Sequence, residues 1–330
     1  APALEQLRRA LGPAACIGAP ADIEPYLTDF RGLYHGAAPL VVCPSSTQEV
    51  ATALAICHEH RVGVVPHGGN TSYCGGATPG VRGDQIVLSL RRLNRVRAVD
   101  ADNFSLTVEA GCLLADVQAA AQAADRFFPL SLGSEGSCQI GGNLSTNAGG
   151  TAVLRLNAVR YGVTRDLVLG LEVVLADGRM LDGLTSLRKD NTGYDLRDLF
   201  IGAEGTLGVI TAASLKLFPV PRTIETAFVA VPDLRAAVQL LGRLRAITGD
   251  LVTSFEFLPR IAVEFTTQHI PGVTAPLAGT HANYVLCEVS TARDDPALRP
   301  LLEQGLADAL AQGLVNDAVI AESIAQRQAL

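Results

Sequence analysis

Tryptophan is absent from these 330 residues, methionine occurs once, and Lys189 and Lys216 are the only lysines among 26 basic residues. The scarcity of lysine reads as a mutational bias toward arginine before it reads as chemistry. Basic residues are dispersed and outnumbered by 33 acidic ones, and the net charge of −7 argues against a nucleic-acid surface. Any bound phosphate must then be held by backbone rather than by a basic patch. The seven cysteines, Cys16, Cys43, Cys57, Cys74, Cys112, Cys138 and Cys287, include no C-x-x-C pair and no Cys/His cluster at zinc spacing. They read as small core residues in a reducing compartment. No apolar run reaches the roughly 18 residues of a membrane helix, and the opening APALEQLRRALG lacks the charged-then-apolar order of a signal peptide. A soluble cytoplasmic protein is the expectation. Also missing are a G-x-G-x-x-G after a first strand and a G-x-x-x-x-G-K-[ST], which leaves NAD-type and P-loop folds unsupported.

What remains is a chain with 48% hydrophobic residues and a mean hydropathy of +0.27, long enough for about two domains. PLVVCP (39–44) has strand composition, and SSTQEVATALAICHEH (45–60) reads as a helix opened by a Ser46-x-x-Glu49 capping box. VGVVP (62–66) is a second strand, so this βαβ unit ends in a glycine loop rather than beginning with one. Strands are expected at 85–90, 95–100 and 104–111, a helix at 113–124, and a hairpin over 167–181 turning at Asp177-Gly178.

Three neutral, glycine-bearing blocks punctuate this pattern. PHGGNTSYCGGATPG (66–80) holds five glycines, more than a flexible turn requires, and suggests a backbone that approaches an anion through its N–H groups. FFPLSLGSEGSCQIGGNLSTNAGG (127–150) interleaves glycine with Ser, Thr and Asn. LRKDNTGYDLRDLFIGAEGTLGVITAASLKLFP (187–219) ends at Pro219-Val220-Pro221, the expected domain boundary. Beyond it, strands and helices alternate with few glycines, an α+β domain of ferredoxin-like pattern. The chain stops at AESIAQRQAL without a capping signal, so an incomplete C-terminus is expected.

The three blocks, in this order, resemble the FAD-linked oxidases of the vanillyl-alcohol oxidase/PCMH superfamily. The branch they are most similar to contains the D-2-hydroxyglutarate and D-lactate dehydrogenases and the glycolate oxidase flavoprotein subunit. The resemblance implies an α+β protein with a PCMH-type FAD-binding domain over 1–221, built from subdomains at about 25–92 and 93–221. A partial substrate or cap domain over 222–330 follows. It further implies that Pro66, His67, Gly68, Gly69, Asn70, Thr71 and Ser72 cradle the FAD pyrophosphate, with Gly75 nearby. Pro129, Leu132, Gly133, Ser134, Ser137, Ile140, Gly142, Asn143 and Thr146 would lie along the ribityl chain and isoalloxazine, and Gly205, Gly208, Val209 and Ile210 near the adenine. Some members attach FAD through a His after the paired glycines; Asn70 occupies that position, so noncovalent FAD is expected.

The implied activity is oxidation of a D-2-hydroxy acid by hydride transfer to FAD, with electrons passing to an electron-transfer flavoprotein, cytochrome or quinone, and a homodimer is within the family's range. Another FAD-dependent alcohol or sugar-acid oxidase, or a noncatalytic flavin-binding subunit, stays open. In this branch the substrate Arg and Lys, and a His/His/Glu site for a divalent metal such as Zn with its H-x-G-D-G-N-x-H motif, lie toward the C-terminus, and no such motif occurs here. Catalytic and metal residues are therefore expected C-terminal to Leu330. Arg188, Lys189, Asn191 and Tyr194 are candidates for a pocket lining, with a role in the turn equally open. His58 and His60 flank Glu59 but face apart on a helix, and read as a solvated face.

Overall fold

The computed structural model describes residues 2–149 and 161–329; the end of the second glycine block, Gly150, falls outside them. Its contacts divide the chain into two compact units, the first reaching Ala148 and resuming from Val163 to Phe218, the second containing Pro219 onward. The change from one to the other falls beside Pro219-Val220-Pro221.

In the first unit, helix α1 (Pro2–Leu11) precedes, and helix α2 (Pro20–Ile23) follows the first strand of, a four-stranded sheet of β1 (Cys16–Ile17), β2 (Val41–Val42), β3 (Gly63–His67) and β4 (Gln85–Ser89), in the order β1-β2-β4-β3. Strands β2, β4 and β3 run parallel, and the crossover from β2 to β3 is helix α3 (Thr47–Glu59). A parallel sheet is covered on both faces, which is why PLVVC and IVLSL are apolar without alternation. Leu40, Val42, Ile86 and Leu88 pack against α1 and α3 through Leu7, Val50 and Leu54. Val41, Cys43 and Val87 face the other way, onto Ile23, Tyr26 and Leu27. Full burial of each such Val, Leu or Ile contributes roughly 1.5–3 kcal/mol. The capping box at α3 is half formed. Ser46 Oγ accepts from Glu49 N at 3.2 Å, but the Glu49 carboxylate accepts from Ser45 N at 2.7 Å rather than from Ser46.

The second sheet is antiparallel: β5 (Val96–Asp100), β6 (Ser105–Glu109), β8 (Val168–Val174), β9 (Met180–Gly183) and β10 (Val209–Lys216), in the order β5-β6-β10-β8-β9. Between β6 and β8 come α4 (Leu114–Ala123), β7 (Arg126–Phe127) and α5 (Ile140–Ser145), and before β10 comes α6 (Arg197–Phe200). The hairpin turn sits as expected at Gly178, whose φ of 86° suits glycine and whose missing Cβ would lie 2.7 Å from the Ala51 carbonyl of α3. The turn is thus pressed onto the helix of the first sheet. Thr47 on α3 also donates to Glu172 on β8 at 2.6 Å.

The second unit, entered through β11 (Phe218–Pro219), holds β12 (Thr223–Val231), β13 (Val252–Pro259), β14 (Asn283–Thr291) and β15 (Asp317–Ile320) in the order β13-β14-β12-β15, with every neighbouring pair antiparallel. This is the ferredoxin-like strand order. Helices α7 (Leu234–Thr248) and α9 (Leu298–Ala311) cover one face, where Leu240, Leu244, Leu302 and Leu306 meet Val229, Val285 and Cys287. Asp233 caps α7 by accepting from Ala236 N at 2.8 Å, and Gly249 ends it in the left-handed conformation. Helix α8 (Arg260–His269) is an insertion between β13 and β14, and α10 (Ile324–Ala329) follows β15.

Candidate cofactor site

The structure brings the three glycine blocks together. Gly69 has no room for a side chain, because a Cβ would stand 2.1 Å from the Ser137 carbonyl of the second block. A Cβ on Gly68 would lie 3.7 Å from the Gly142 amide nitrogen and from Gln139 Oε1. Gly205, at φ 77°, packs against Pro66 with 2.8 Å between its missing Cβ and the ring. Backbone bonds join the second and third blocks, from Gly202 N to Leu144 O at 3.1 Å and from Glu204 N to Ser145 O at 2.8 Å. Gly75 meets the ring of Tyr34, and Gly208 fits between Val173 and Phe200. Val209 and Ile210 are buried in β10, paired with Val174 and Val173.

The blocks differ in what they do with their amides. In the first, none of the N–H groups of Gly68, Gly69, Asn70 or Thr71 donates to a backbone carbonyl among the described residues. Asn70 takes a left-handed φ of 52°, and its Nδ2 donates to Thr28 O at 2.8 Å, which anchors the loop. A half-exposed run of amides with no internal acceptor suits an anion with many lone pairs. The second block forms the short helix α5, and the amides of Ile140 and Gly141 donate to Cys112 O and Ala110 O. Asn143 and Thr146 complete helical turns, Thr146 Oγ1 donates to Gly142 O at 2.9 Å, and Ser137 Oγ donates to Ser134 O at 3.2 Å. The amides of Gly133, Ser134 and Gly136 donate to no backbone carbonyl among the described residues, so this block keeps some amide donors beside a surface without a side chain at Gly142. Pro129 is buried, Leu132 half-buried and Gly133 exposed on the loop leading into it.

Two buried side chains beside the cradle hold polar atoms that have no hydrogen-bond partner among the described residues, namely both ring nitrogens of His67 and Oε1 of Gln139. Such atoms are ordinarily satisfied by a ligand or an ordered water. Burial holds the His67 imidazole below its ordinary pKa, and the Gly68 carbonyl offsets this only in part. Adjoining Pro66 is a cavity of about 550 Å³ lined in part by His58, Arg61, Val64, Val174, Gly205 and Val209. The orphaned atoms, the cradle that a Cβ would fill and the adjoining cavity fit an extended dinucleotide.

Charges behind the second block hold it in place. Glu109 is fully buried at the end of β6, one residue before Ala110, and is bonded by Arg95 and Arg97; the Arg97 guanidinium also bridges to Glu172 at 3.0 Å. Burial alone would raise the Glu109 carboxyl, but Arg95 and Arg97 together hold it below the usual carboxylate range.

The remaining candidates take other places. Arg188 donates to the carbonyls of Asn103 and Phe104 and so secures a loop. Lys189 and Asn191 are exposed, and Tyr194 is 95% exposed beside a second cavity of about 470 Å³ that also adjoins Asp195 and Phe200. His60 pairs with Gln6 at 2.8 Å. His58, which helical spacing assigns to a solvated face, is exposed but borders the first cavity. Among the described residues no three His, Cys, Asp or Glu side chains converge as metal ligands, and no helix is long and apolar enough to cross a membrane.

Residues 38–183 match the family model of the FAD binding domain, and residues 220–330 match that of the C-terminal domain of FAD linked oxidases. Over 299 residues the chain is 40% identical to a mitochondrial D-2-hydroxyglutarate dehydrogenase of Arabidopsis thaliana, covering 91% of this chain and 52% of the relative. It is 42% identical over 311 residues to the enzyme of the same name in Bos taurus, covering 93% and 55%. Among solved structures, p-cresol methylhydroxylase with substrate bound superposes with a TM-score of 0.78 at 18% identity, covering 99% of this chain and 68% of that one. An alkyldihydroxyacetonephosphate synthase gives 0.77 at 19%, covering 96% and 61%. Those two likenesses are of fold alone. The chain belongs to the FAD-linked oxidases, with their FAD-binding domain followed by their C-terminal domain.

It spans about half the length of the curated relatives it matches. The cytoplasmic expectation is corrected by the same relatives, which are named as mitochondrial. That expectation rested on the composition of the first residues, which for a chain matching half of each relative carries no information about a leader.

Proposed function

We propose that this chain holds FAD noncovalently and serves the oxidation of a D-2-hydroxy acid to its 2-oxo acid. The observation that carries the cofactor assignment is the cradle, in which the amides of residues 68–71 lack acceptors among the described residues where the first block meets Ser137, Gly142 and Gly205. The substrate class is supported by relatives named D-2-hydroxyglutarate dehydrogenase at 40–42% identity.

When bound, FAD supplies at N5 the acceptor for the hydride leaving C2 of the acid. Pro66 to Ser72 would hold its diphosphate through backbone N–H groups, which neutralises charge without a basic patch. Gly142 and its neighbours would let the flavin lie flat on α5, with Ser134, Ser137 and Asn143 nearby. Gly205, Gly208, Val209 and Ile210 would line the adenine end, beside the cavity bordered by Val64 and Val174. Attachment through a histidyl bond is unsupported at Asn70, whose amide group is no nucleophile and already bonds Thr28 O. The described residues do not fit a divalent metal, and no step is assigned to one. Electrons would leave for an external acceptor such as an electron-transfer flavoprotein, cytochrome or quinone.

The test is the anaerobic visible spectrum of the FAD-supplied natural-length protein with D-2-hydroxyglutarate, D-lactate, D-malate and glycolate added separately. Bleaching by one D-acid names the substrate. Absence of a flavin band after FAD is supplied sinks the cofactor assignment, and a band that no acid bleaches removes the 2-hydroxy acid.

A further inference from the structure

We propose that His67 is a positioning residue that couples capture of the FAD diphosphate to uptake of one proton at its imidazole. The inference rests on the FAD assignment above and adds a linkage that a merely structural histidine would not show.

Strand β3 alternates, so Val64 lies on the face that packs with α3, while His67, opposite Ser89 of β4, lies against Tyr26 with ring centroids 5.1 Å apart. The imidazole is 6% exposed, and neither nitrogen has a hydrogen-bond partner among the described residues. It is also the last residue before the unpaired amides of Gly68 to Thr71. Successive Cα atoms are about 3.8 Å apart, so the first of these amides lie within roughly 4–8 Å of His67 along the chain. A diphosphate held there would be the strongest charge near the ring, in surroundings that screen it poorly.

The free protein disfavours the imidazolium, because burial outweighs the one nearby carbonyl. A neighbouring anion acts in the opposite sense. The bound-state pKa then lies above the free-state pKa, so binding takes up a proton between the two values and tightens as pH falls through that window. Other ionisable groups face the same region. Tyr26 has Cys43 and Arg91 beside its phenol, and burial keeps that phenol neutral by raising it. On the segment that Asn70 anchors, Asp29 accepts from the amides of Tyr34 and Arg31, which hold its carboxyl low, and Arg31 lies over the Tyr73 ring. Cys74 is exposed farther along the loop, and Glu204 lies near Gly76. Arginine stays charged throughout, which leaves His67 as the group of this set suited to a change between pH 5 and 8.

The experiment is calorimetric titration of FAD into the apoprotein from pH 5.5 to 8, in buffers of different ionisation enthalpy, for wild type and His67→Gln. The wild type is expected to take up close to one proton per FAD near pH 6, with Kd falling about threefold to tenfold from pH 7.5 to 6. H67Q is expected to bind FAD with no uptake and a flat pH profile. Tight wild-type binding without proton uptake overturns the inference and leaves the FAD assignment standing; absence of binding at every pH overturns the assignment itself. Uptake that persists in H67Q places the proton elsewhere and also overturns it. Should H67Q fail to fold, carbon shifts of the six histidines decide in the wild type. One imidazole must titrate at higher pH with FAD than without it, and six unchanged curves refute the coupling.

Discussion

The first and second glycine blocks use the same residue for opposite purposes. In the first, glycine leaves amides without acceptors among the described residues, so the loop is complete as a scaffold but not as a set of hydrogen bonds. In the second, the amides of Ile140 and Gly141 are consumed in bringing a short helix against Cys112 and Ala110. A glycine-rich stretch therefore has two distinct physical meanings, a donor array or a close-packed surface, and only the partners of the amides tell them apart.

The contrast can be broken at Gly69, where the blocks touch. Gly69→Ala places a methyl 2.1 Å from the Ser137 carbonyl, and the backbone must shift; FAD affinity is expected to fall on the order of 100-fold in a fluorescence titration. Retained affinity would mean that the contact does not shape the cradle.

A smaller loss, about 2 kcal/mol of unfolding free energy, is expected for Glu109→Gln, because two arginines lose their buried partner while mostly exposed Arg95 can return to water. Glu109 has a lowered folded-state pKa, so its contribution is present above the unfolded value of 4.5 and disappears as pH falls below it. Denaturant melts of both proteins should therefore converge in acid, and a gap that stays constant from pH 7 to 3.5 refutes the ion-pair account.

Gly142→Ala sharpens the comparison. Nothing lies within 4 Å of the new methyl, and the site is helical, so stability should hold or rise by about 0.5–1 kcal/mol. FAD affinity should nonetheless drop about tenfold if the flavin lies on this surface; unchanged affinity would move the flavin off α5. The smallest effect belongs to Gly136→Ala, whose methyl also meets nothing within 4 Å among the described residues and which is not among the residues assigned to the groove. Melting point and FAD affinity should both stay within about 0.5 kcal/mol of wild type.

Much of the architecture was legible because it is written locally. Ser46 announces its helix, Asp177-Gly178 its hairpin, and the strand–helix alternation after Pro221 its ferredoxin-like order. The block motifs were equally readable, since glycine spacing survives without knowledge of what lies opposite. What was not readable depends on partners far along the chain. His58 and Arg61 border a cavity whose other wall comes from Val174 and residues 205–209, and Glu109 meets a charge network reaching Thr47 and Glu172. The spent amides of Ile140 and Gly141 were hidden for the same reason, as their acceptors come from the end of β6.

Strand β6 pairs with the adjacent β5 on one side, but finds its other neighbour only in β10, with Ser105 beside Lys216, roughly a hundred residues further on. Everything that walls the cradle from the second and third blocks is enclosed in that interval. A ribosome must therefore release the chain past Lys216 before the sheet can close, and until then the first loop, already synthesised with its open amides, has no wall to hold a cofactor against. On the proposed cradle, cofactor capture would be a late event in the life of the nascent chain, and the exposed β6 edge is what chaperones would have to guard meanwhile.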